Sequence, residues 1–410
     1  MDGLTQPRDG FYAPYLYTYL AIAGQRLRPR PKIFGVFPRG SRSESRDWDD
    51  SSRQIALGLF RYQSASIPAY RAYVELLGIE AARLTDWHEI PPVPASAFKS
   101  HDLSATPHGE EATIFETSGT TISRPGRVRL RTTRLYEISL LANARRHLLP
   151  DGAKLPAIVF GPHREEAPHS SLWYMVDHVV KKETKSGAWL VRGGVPRWDL
   201  ADEILSEAAS SNQPVLLLGT TLLYMAYFER LASMDRRFAL PPGSRAMDTG
   251  GSKGLRTEFN RPEVEAAFAD RLGIPSTHLV NEYGMAEMGS QFYDDNLAAA
   301  VERRPREEGK RIPPWVRTRV LDPETLREVP DGQQGILVHY DLANLDTPLA
   351  IQTEDIGTRV GNRLMIAGRL PAAEARGCSL AFEQFVEAER RAGSPLAPGQ
   401  VEGPPSGSAS

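Results

Sequence analysis

A cluster of hydroxyl side chains around a glycine is the sequence's clearest chemical signal. The stretch Glu116-Thr117-Ser118-Gly119-Thr120-Thr121 is followed after two residues by Arg124-Pro125-Gly126-Arg127. Backbone N–H groups and short hydroxyl donors in a loop bind phosphate oxygens, and a nearby cation balances their charge. A Ser/Thr-rich surface turn is the alternative interpretation. The pattern predicts a loop over a polyphosphate, and its candidate residues are Thr117, Ser118, Gly119, Thr120, Thr121 and Arg127.

Four more short motifs follow this cluster along the chain. Glycines let a flat group approach bare backbone, an aromatic ring stacks on a base, and a carboxylate holds Mg²⁺ through oxygen. An aspartate in a turn suits a ribose diol, and an arginine suits ribose or phosphate. Together with the first cluster, the order and separation of the motifs indicate one nucleotide site. The four motifs are Thr249-Gly250-Gly251-Ser252-Lys253-Gly254, Asn281-Glu282-Tyr283-Gly284-Met285-Ala286-Glu287, Thr353-Glu354-Asp355-Ile356-Gly357 and Gly368-Arg369.

This series of motifs resembles that of the adenylate-forming enzymes, which include acyl-CoA synthetases, adenylation domains of peptide synthetases and beetle luciferases. The resemblance implies that the hydroxyl loop handles ATP phosphates and that Tyr283 stacks on adenine. It also implies that Glu287 helps to hold Mg²⁺. Ile122 stands where the family commonly has glycine, and Arg127 stands in place of a lysine. The resemblance also implies that Asp355 and Arg369 bind ribose. Gly250, Gly251, Gly284 and Met285 are further candidate nucleotide-binding residues from the motifs themselves.

The end of the chain carries a narrower resemblance. Adenylate-forming enzymes usually continue into a mobile lid domain with a catalytic lysine, whereas here 33 residues follow Gly377. Cys378, the single cysteine, lies in Glu374-Ala375-Arg376-Gly377-Cys378-Ser379-Leu380. This segment is similar to the acyl-protein synthetases of bacterial luminescence operons, which carry an activated fatty acid on their own cysteine. Segments 59–63, 67–71, 90–94 and 98–100 agree, and the likeness covers about residues 45–385.

The predicted function is therefore activation of a carboxylic acid, in this family a fatty acid, by ATP to an acyl-adenylate. Cys378, as a thiolate nucleophile, would take the acyl group as a thioester and deliver it to an acceptor such as an acyl reductase. Lys253, beside two glycines, is the candidate to replace the lid lysine. Two alternatives stay open. One is a ligase with coenzyme A or a carrier-protein thiol as acceptor, and the other is a non-catalytic nucleotide-binding scaffold.

Composition narrows the range of partners. The 49 basic and 51 acidic residues give no overall attraction to nucleic acid or to an anionic membrane. One cysteine excludes an internal disulfide and a cluster of several thiolates around a metal, and it fits a reducing compartment. The apolar run 11–24 is too short to span a bilayer. We therefore expect a cytoplasmic protein without a membrane span.

The order of apolar segments predicts an α/β fold. Short apolar runs at 157–160 and 215–218 are typical of buried strands, and helical spacing occurs at 201–209 and 263–272. Runs at 335–340 and 363–366 predict a small β-rich part, and sheets covered by helices follow. The family resemblance implies the large domain of the adenylate-forming enzymes with its lid largely missing. The predicted divisions are an N-terminal extension (1–44), an adenylate-forming core domain (45–369), a truncated segment with the cysteine (370–394) and a disordered tail (395–410).

Overall fold

The computed structural model describes residues 48–117, 125–250 and 259–369, together with positions 384, 386 and 387. Its α-helices cover the faces of a large sheet. Helix α1 begins at Asp50, where the Asp49 side chain accepts from the Ser52 N–H, and α7 begins with a reciprocal capping box between Asn260 and Glu263. The helices are α1 (Asp50–Ser66), α2 (Pro68–Leu76), α3 (Arg134–His147), α4 (Ser171–Glu183), α5 (Trp198–Ser210), α6 (Thr221–Ser233), α7 (Arg261–Leu272) and α8 (Asn296–Glu302). Single 3₁₀ turns lie at Trp87–Glu89, Ala95–Lys99, Arg164–Glu166 and Ser276–His278.

The strands of the described residues form one 13-stranded sheet and a separate two-stranded pair, β2 with β3. They are β1 (Val93–Pro94), β2 (Thr113–Glu116), β3 (Arg127–Leu130), β4 (Pro156–Pro162), β5 (Ser186–Arg192), β6 (Val195–Pro196), β7 (Leu216–Thr220), β8 (Arg245–Thr249), β9 (Leu279–Tyr283), β10 (Phe292–Asp294), β11 (Lys310–Arg311), β12 (Val316–Leu321), β13 (Gln334–Asp341), β14 (Ala350–Val360) and β15 (Arg363–Arg369).

The large sheet has a parallel half and an antiparallel half. Its order is β12-β13-β14-β15-β11-β10-β9-β8-β7-β4-β5-β6, with β1 beside β14. Strands β5, β4, β7, β8 and β9 run parallel, whereas β10 to β15 pair antiparallel. Parallel strands joined by helices place their carboxyl ends at one edge, where α/β proteins bind ligands.

Both faces of the parallel half are buried. Successive residues of a strand point to opposite faces of the sheet, so each strand contributes side chains to the core on both sides. Ile158 and Phe160 of β4 pack in one apolar cluster with α5, α6 and α7. Ala157 and Val159 of the same strand belong to the other cluster, with α3 and α4. This two-sided burial explains the continuous apolar runs in the sequence.

The α/β prediction is confirmed. The predicted strands at 157–160, 215–218, 335–340 and 363–366 lie in β4, β7, β13 and β15, and the predicted helices lie in α5 and α7. The prediction of a turn at Asp355 is wrong, because this residue lies inside β14, where Arg369 of β15 is its cross-strand partner. The division into domains stays a prediction, and the segments 1–44 and 395–410 lie outside the described residues.

Candidate nucleotide site

The carboxyl edge of the parallel half brings two of the predicted motifs side by side. Thr249 at the end of β8 is the register partner of Glu282 in β9, and the Thr249 hydroxyl donates to the Glu282 carboxylate. The next residues along these strands are Gly250 and Tyr283. Gly250 has a φ of +75°, a left-handed conformation that favours glycine, and its carbonyl accepts from the Thr221 hydroxyl at 2.8 Å.

Asp355 and Arg369 meet across the antiparallel half. Their Cα atoms are register partners between β14 and β15, and Arg369 Nε lies 3.5 Å from Asp355 Oδ1. Arg369 Nη1 also lies 3.6 Å from Glu354 Oε2, and its side chain is half exposed. The sequence separation of fourteen residues is therefore the length of a hairpin that folds these two side chains together.

A hydrogen bond joins the two halves of the sheet at the site. The Tyr283 hydroxyl donates to Asp355 Oδ2 at 2.7 Å. Strands β9 and β14 are four neighbour steps apart in the sheet order, a separation of about 19 Å in a flat sheet at about 4.8 Å per step. Two side chains do not bridge that distance, so the sheet must curl to bring its halves together. His339 of β13 lies against the same ring, with ring centroids 6.0 Å apart.

Burial fixes the protonation of this aromatic cluster. Burial and the neighbouring Asp355 raise the pKa of Tyr283 well above its ordinary value of 10.0, so its hydroxyl remains a donor at neutral pH. Burial lowers the pKa of His339 to about 3, which keeps this imidazole neutral. The Asp355 carboxylate is therefore held by a neutral donor on one side and by the Arg369 guanidinium on the other.

Glu287 sits in a short loop that follows β9. Met288 N–H donates to Met285 O at 3.2 Å and closes the turn. Asn344 clamps the far side, since its amide donates to Glu287 O at 2.9 Å and accepts from Gly289 N–H at 2.6 Å. Gly284 and Met285 form the link between Tyr283 and this turn. The loop is thus fixed at its backbone, and the position of the carboxylate is set by residues far apart in sequence.

Among the described residues, the buried Glu287 carboxylate has no ion pair of its own. Its residue is 7% exposed, and no salt bridge within 4.0 Å reaches it among the described residues. Burial raises its pKa from 4.5 to about 7, while its own backbone N–H and the charges of Lys99 and Arg369 act in the opposite direction. A buried carboxylate of this kind gains stability when a cation approaches it.

The base of the hydroxyl-rich loop is closed by two reciprocal hydrogen bonds. Thr117 N–H donates to Gly126 O at 2.9 Å, and Gly126 N–H donates to Thr117 Oγ1 at 2.9 Å. A Cβ on Gly126 would lie 2.6 Å from the Phe98 carbonyl oxygen, so only glycine fits there. Arg127 is exposed and pairs with Glu116 at 3.3 Å.

A small cavity connects the base of this loop to Glu287. Phe115 and Val128, which flank the loop on β2 and β3, line it together with Glu287 and Gly289. Its volume of about 20 Å³ has room for about one water molecule, so it is not the space of a long acyl chain. Its position places the facing strands β2 and β3 beside the Glu287 turn.

The described residues thus assemble Thr117, Gly250, Tyr283, Glu287, Asp355 and Arg369 around one region. The predicted residues Ser118, Gly119, Thr120, Thr121, Gly251, Lys253 and Cys378 lie outside the described residues, and their roles stay predictions. The sequence analysis did not assign Lys99 or Asn344. Lys99 lies in segment 98–100, which contributes to the family resemblance but received no role, and nothing local distinguishes Asn344. In the part of the chain that the structure covers, no helix is long and apolar enough to cross a membrane, and no group of three metal-binding side chains occurs.

A family model and two known proteins that resemble this chain agree on one family. The family model described as acyl-protein synthetase, LuxE, matches residues 51–386. A long-chain-fatty-acid–luciferin-component ligase of Vibrio harveyi is 22% identical over 356 residues, which cover 83% of this chain and 89% of the relative. A protein of the same name from Aliivibrio fischeri is 27% identical over 141 residues, 32% of this chain and 34% of the relative.

Solved structures support the fold. The open conformation of 2-hydroxyisobutyryl-CoA ligase, in complex with 2-HIB-AMP and CoA, matches with a TM-score of 0.56 and 16% identity over 82% of this chain and 80% of that chain. The postadenylation state of the same ligase gives a TM-score of 0.57 and 17% identity over 82% and 72%. The described part of the chain therefore has the fold of an adenylate-forming enzyme.

Proposed function

Because the chain belongs to the acyl-protein synthetase (LuxE) family, we propose that it activates a carboxylic acid with ATP and then carries the acyl group as a thioester on Cys378. The family match over residues 51–386 supports ligase chemistry. The names of the relatives from Vibrio harveyi and Aliivibrio fischeri support a long-chain fatty acid as the substrate. An acyl-accepting reductase or a carrier protein is the proposed final acceptor.

The cluster of Tyr283, Asp355 and Arg369 is the observation that carries this proposal. It offers an aromatic side chain whose hydroxyl donates to a carboxylate and a guanidinium that forms an ion pair with the same carboxylate at 3.5 Å. A ring face stacks on adenine, and a carboxylate oriented by two donors accepts hydrogen bonds from a ribose diol. Gly250, Gly284 and Met285 supply the adjoining backbone and side chain on the purine side.

Glu287 is the proposed Mg²⁺ ligand. Its burial and its pKa of about 7 fit a position that becomes favourable when a cation is bound. Magnesium sites commonly use one or two carboxylates together with substrate phosphates, so a single protein carboxylate is sufficient here. A Mg²⁺ ion held by this carboxylate would supply positive charge beside the phosphate oxygens.

In the first step the acid's carboxylate oxygen attacks the α-phosphorus of ATP. A new oxygen–phosphorus bond forms, the bond to the β-phosphate bridging oxygen breaks, and pyrophosphate leaves. The protein's part is positioning and charge stabilisation. We assign phosphate contacts to the loop of Thr117, Ser118, Gly119, Thr120 and Thr121, with Arg127, Gly251 and Lys253 as further candidates.

In the second step the Cys378 thiolate attacks the carbonyl carbon of the acyl-adenylate. The carbon–sulfur bond forms, the bond between the acyl carbon and the phosphate oxygen breaks, and AMP leaves. Only the thiolate is nucleophilic, and Arg376, two residues away in sequence, supplies a charge that favours it. The cytoplasmic location stays a prediction from composition.

The first half-reaction is tested by exchange of labelled pyrophosphate into ATP. We expect exchange that depends on added carboxylic acid and is greatest with long-chain fatty acids. A screen of many carboxylic acids by pyrophosphate release identifies the chain length of the preferred acid. Absence of exchange with every acid, in protein that binds Mg·ATP, would refute the adenylate-forming proposal.

The second half-reaction is tested with Cys378→Ala and, as a control for cysteine-free folding, Cys378→Ser. Intact-protein mass after incubation with ATP and acid should rise by one acyl group in the wild type and in neither variant. Both variants should retain pyrophosphate exchange. Acyl labelling that persists at another residue in Cys378→Ala would show that Cys378 is not the side chain that carries the acyl group.

A further inference from the structure

Lys99 lies in a turn beside the candidate site, and among the described residues it has no partner of its own. It ends the 3₁₀ turn Ala95–Lys99, and its side chain is half-buried. Within residues 48–117, 125–250 and 259–369, it makes no hydrogen bond or ion pair. Half-buried lysines commonly find a carboxylate or a carbonyl, so an unpaired ammonium at this depth is a feature to be explained.

The topology of the sheet positions the turn that carries Lys99 next to the site. Strand β1 runs parallel to β14, with Val93 opposite Ile351 and Pro94 opposite Gln352. The turn that carries Lys99 follows directly and continues towards the segment of β14 that holds Asp355. On its other side, the carbonyl of Phe98 packs against Gly126 at the base of the hydroxyl loop. The turn that carries Lys99 therefore lies between Gly126 and the strand that holds the proposed ribose site.

The charge of Lys99 lowers the pKa of the Glu287 carboxyl without an ion pair between the two side chains. Among the side-chain charges that act on the Glu287 carboxylate, Lys99 ranks before Arg369 and Glu354, and Coulomb energy falls with distance. No Lys99–Glu287 ion pair within 4.0 Å is formed in the described residues. The two opposite charges thus act on each other without an ion pair, an arrangement that suits a phosphate group held between an ammonium and a carboxylate-bound cation.

We propose that Lys99 is a catalytic residue that binds the α-phosphate oxygens of ATP while pyrophosphate leaves. This inference rests on the proposed function. The ammonium is a point charge with three donors, a chemistry suited to phosphate, and it stabilises the charge that spreads over the equatorial oxygens in the transition state. It acts from the described core of the protein and needs no lysine from a separate domain.

The test compares Lys99→Gln, Lys99→Met and Lys99→Arg in acid-dependent pyrophosphate exchange by the full-length protein. We expect kcat to fall by about 100-fold in the two neutral variants and to recover by at least about tenfold in Lys99→Arg, which keeps the charge. The KM for ATP should change by less than about threefold, because the contact forms mainly in the transition state. Melting temperatures should match the wild type.

Lys185→Gln is the matched control. Lys185 is exposed and lies next to the start of β5, at the amino edge of the parallel strands, so this variant should retain wild-type exchange. Wild-type kcat in Lys99→Gln, or equal losses in Lys99→Arg and Lys99→Met, would overturn the assignment of Lys99 while leaving the proposed function standing. Failure of the wild type itself to exchange would overturn both.

Discussion

Replacing Glu287 with glutamine should make the protein more stable and less active. The carboxylate is 7% exposed, and burial raises its pKa from 4.5 to about 7. Between these two values the folded state binds more protons than the unfolded state, so stability falls as the pH rises. Glutamine has a similar shape and no charge, so the variant should not lose stability in this way as the pH rises.

The magnitude follows from the pKa difference. At 1.36 kcal/mol per pKa unit, ionised Glu287 lowers the free energy of unfolding by about 3 kcal/mol above pH 7. Near pH 5.5 the loss is only about 1 kcal/mol, because most of the folded protein still carries the proton. The stabilisation of Glu287→Gln over the wild type should therefore grow by about 2 kcal/mol between pH 5.5 and pH 8.5.

Urea unfolding followed by tryptophan fluorescence measures this difference at several pH values. Glu229→Gln is the matched control, because Glu229 is exposed on α6, and surface substitutions change stability by about 0.5 kcal/mol or less. Mg·ATP should stabilise the wild type at pH 8.5 by about 2.7 kcal/mol at a concentration 100 times its Kd. The Glu287→Gln variant should gain much less, and its pyrophosphate exchange should fall by about tenfold or more.

Two outcomes would refute this reasoning. A Glu287→Gln variant no more stable than the wild type at pH 8.5 would show that burial does not disfavour the charge. A stabilisation that does not vary with pH would show that it arises from packing and not from ionisation.

Two further substitutions test the contacts that assemble the site. Tyr283→Phe removes the hydroxyl that donates to Asp355 and keeps the ring. The free energy of unfolding should therefore fall by about 2 kcal/mol, and the KM for ATP in exchange kinetics should rise several-fold. An unchanged KM would show that Asp355 does not take part in nucleotide binding. Gly126→Ala places a Cβ 2.6 Å from the Phe98 carbonyl oxygen, which should cost about 1–3 kcal/mol and lower the melting temperature and the exchange rate together. Gly58→Ala in α1, where a Cβ meets nothing within 4 Å, is its control and should keep or raise the melting temperature.

Local sequence was sufficient for the α/β class and for most of the elements that hold the site. Apolar runs predict β4 and β7 because strands buried on both faces need a continuous apolar sequence. Local sequence failed at Asp355, since Asp before Ile-Gly suggests a turn, whereas pairing with Arg369 holds this residue in β14.

Motif order alone indicated that the candidate residues share one site, but it did not give their contacts. The hydrogen bond between Tyr283 and Asp355 depends on the curl of a sheet whose two strands are four steps apart. The clamp of Asn344 on the Glu287 loop depends on a contact across 57 residues. Local propensity carries no information on such contacts, because they are formed by long-range strand pairing.

The sequence by itself determined which chemical groups this protein has: a hydroxyl loop, an aromatic ring, two acids, an arginine and one cysteine. Only the tertiary structure decided which of them act on each other. The raised pKa of Glu287 arises from burial, and the charges of Lys99 and Arg369 that act on it are brought close by the fold. Electrostatic energy depends on distance and on exclusion of water, and neither quantity is written in the order of residues.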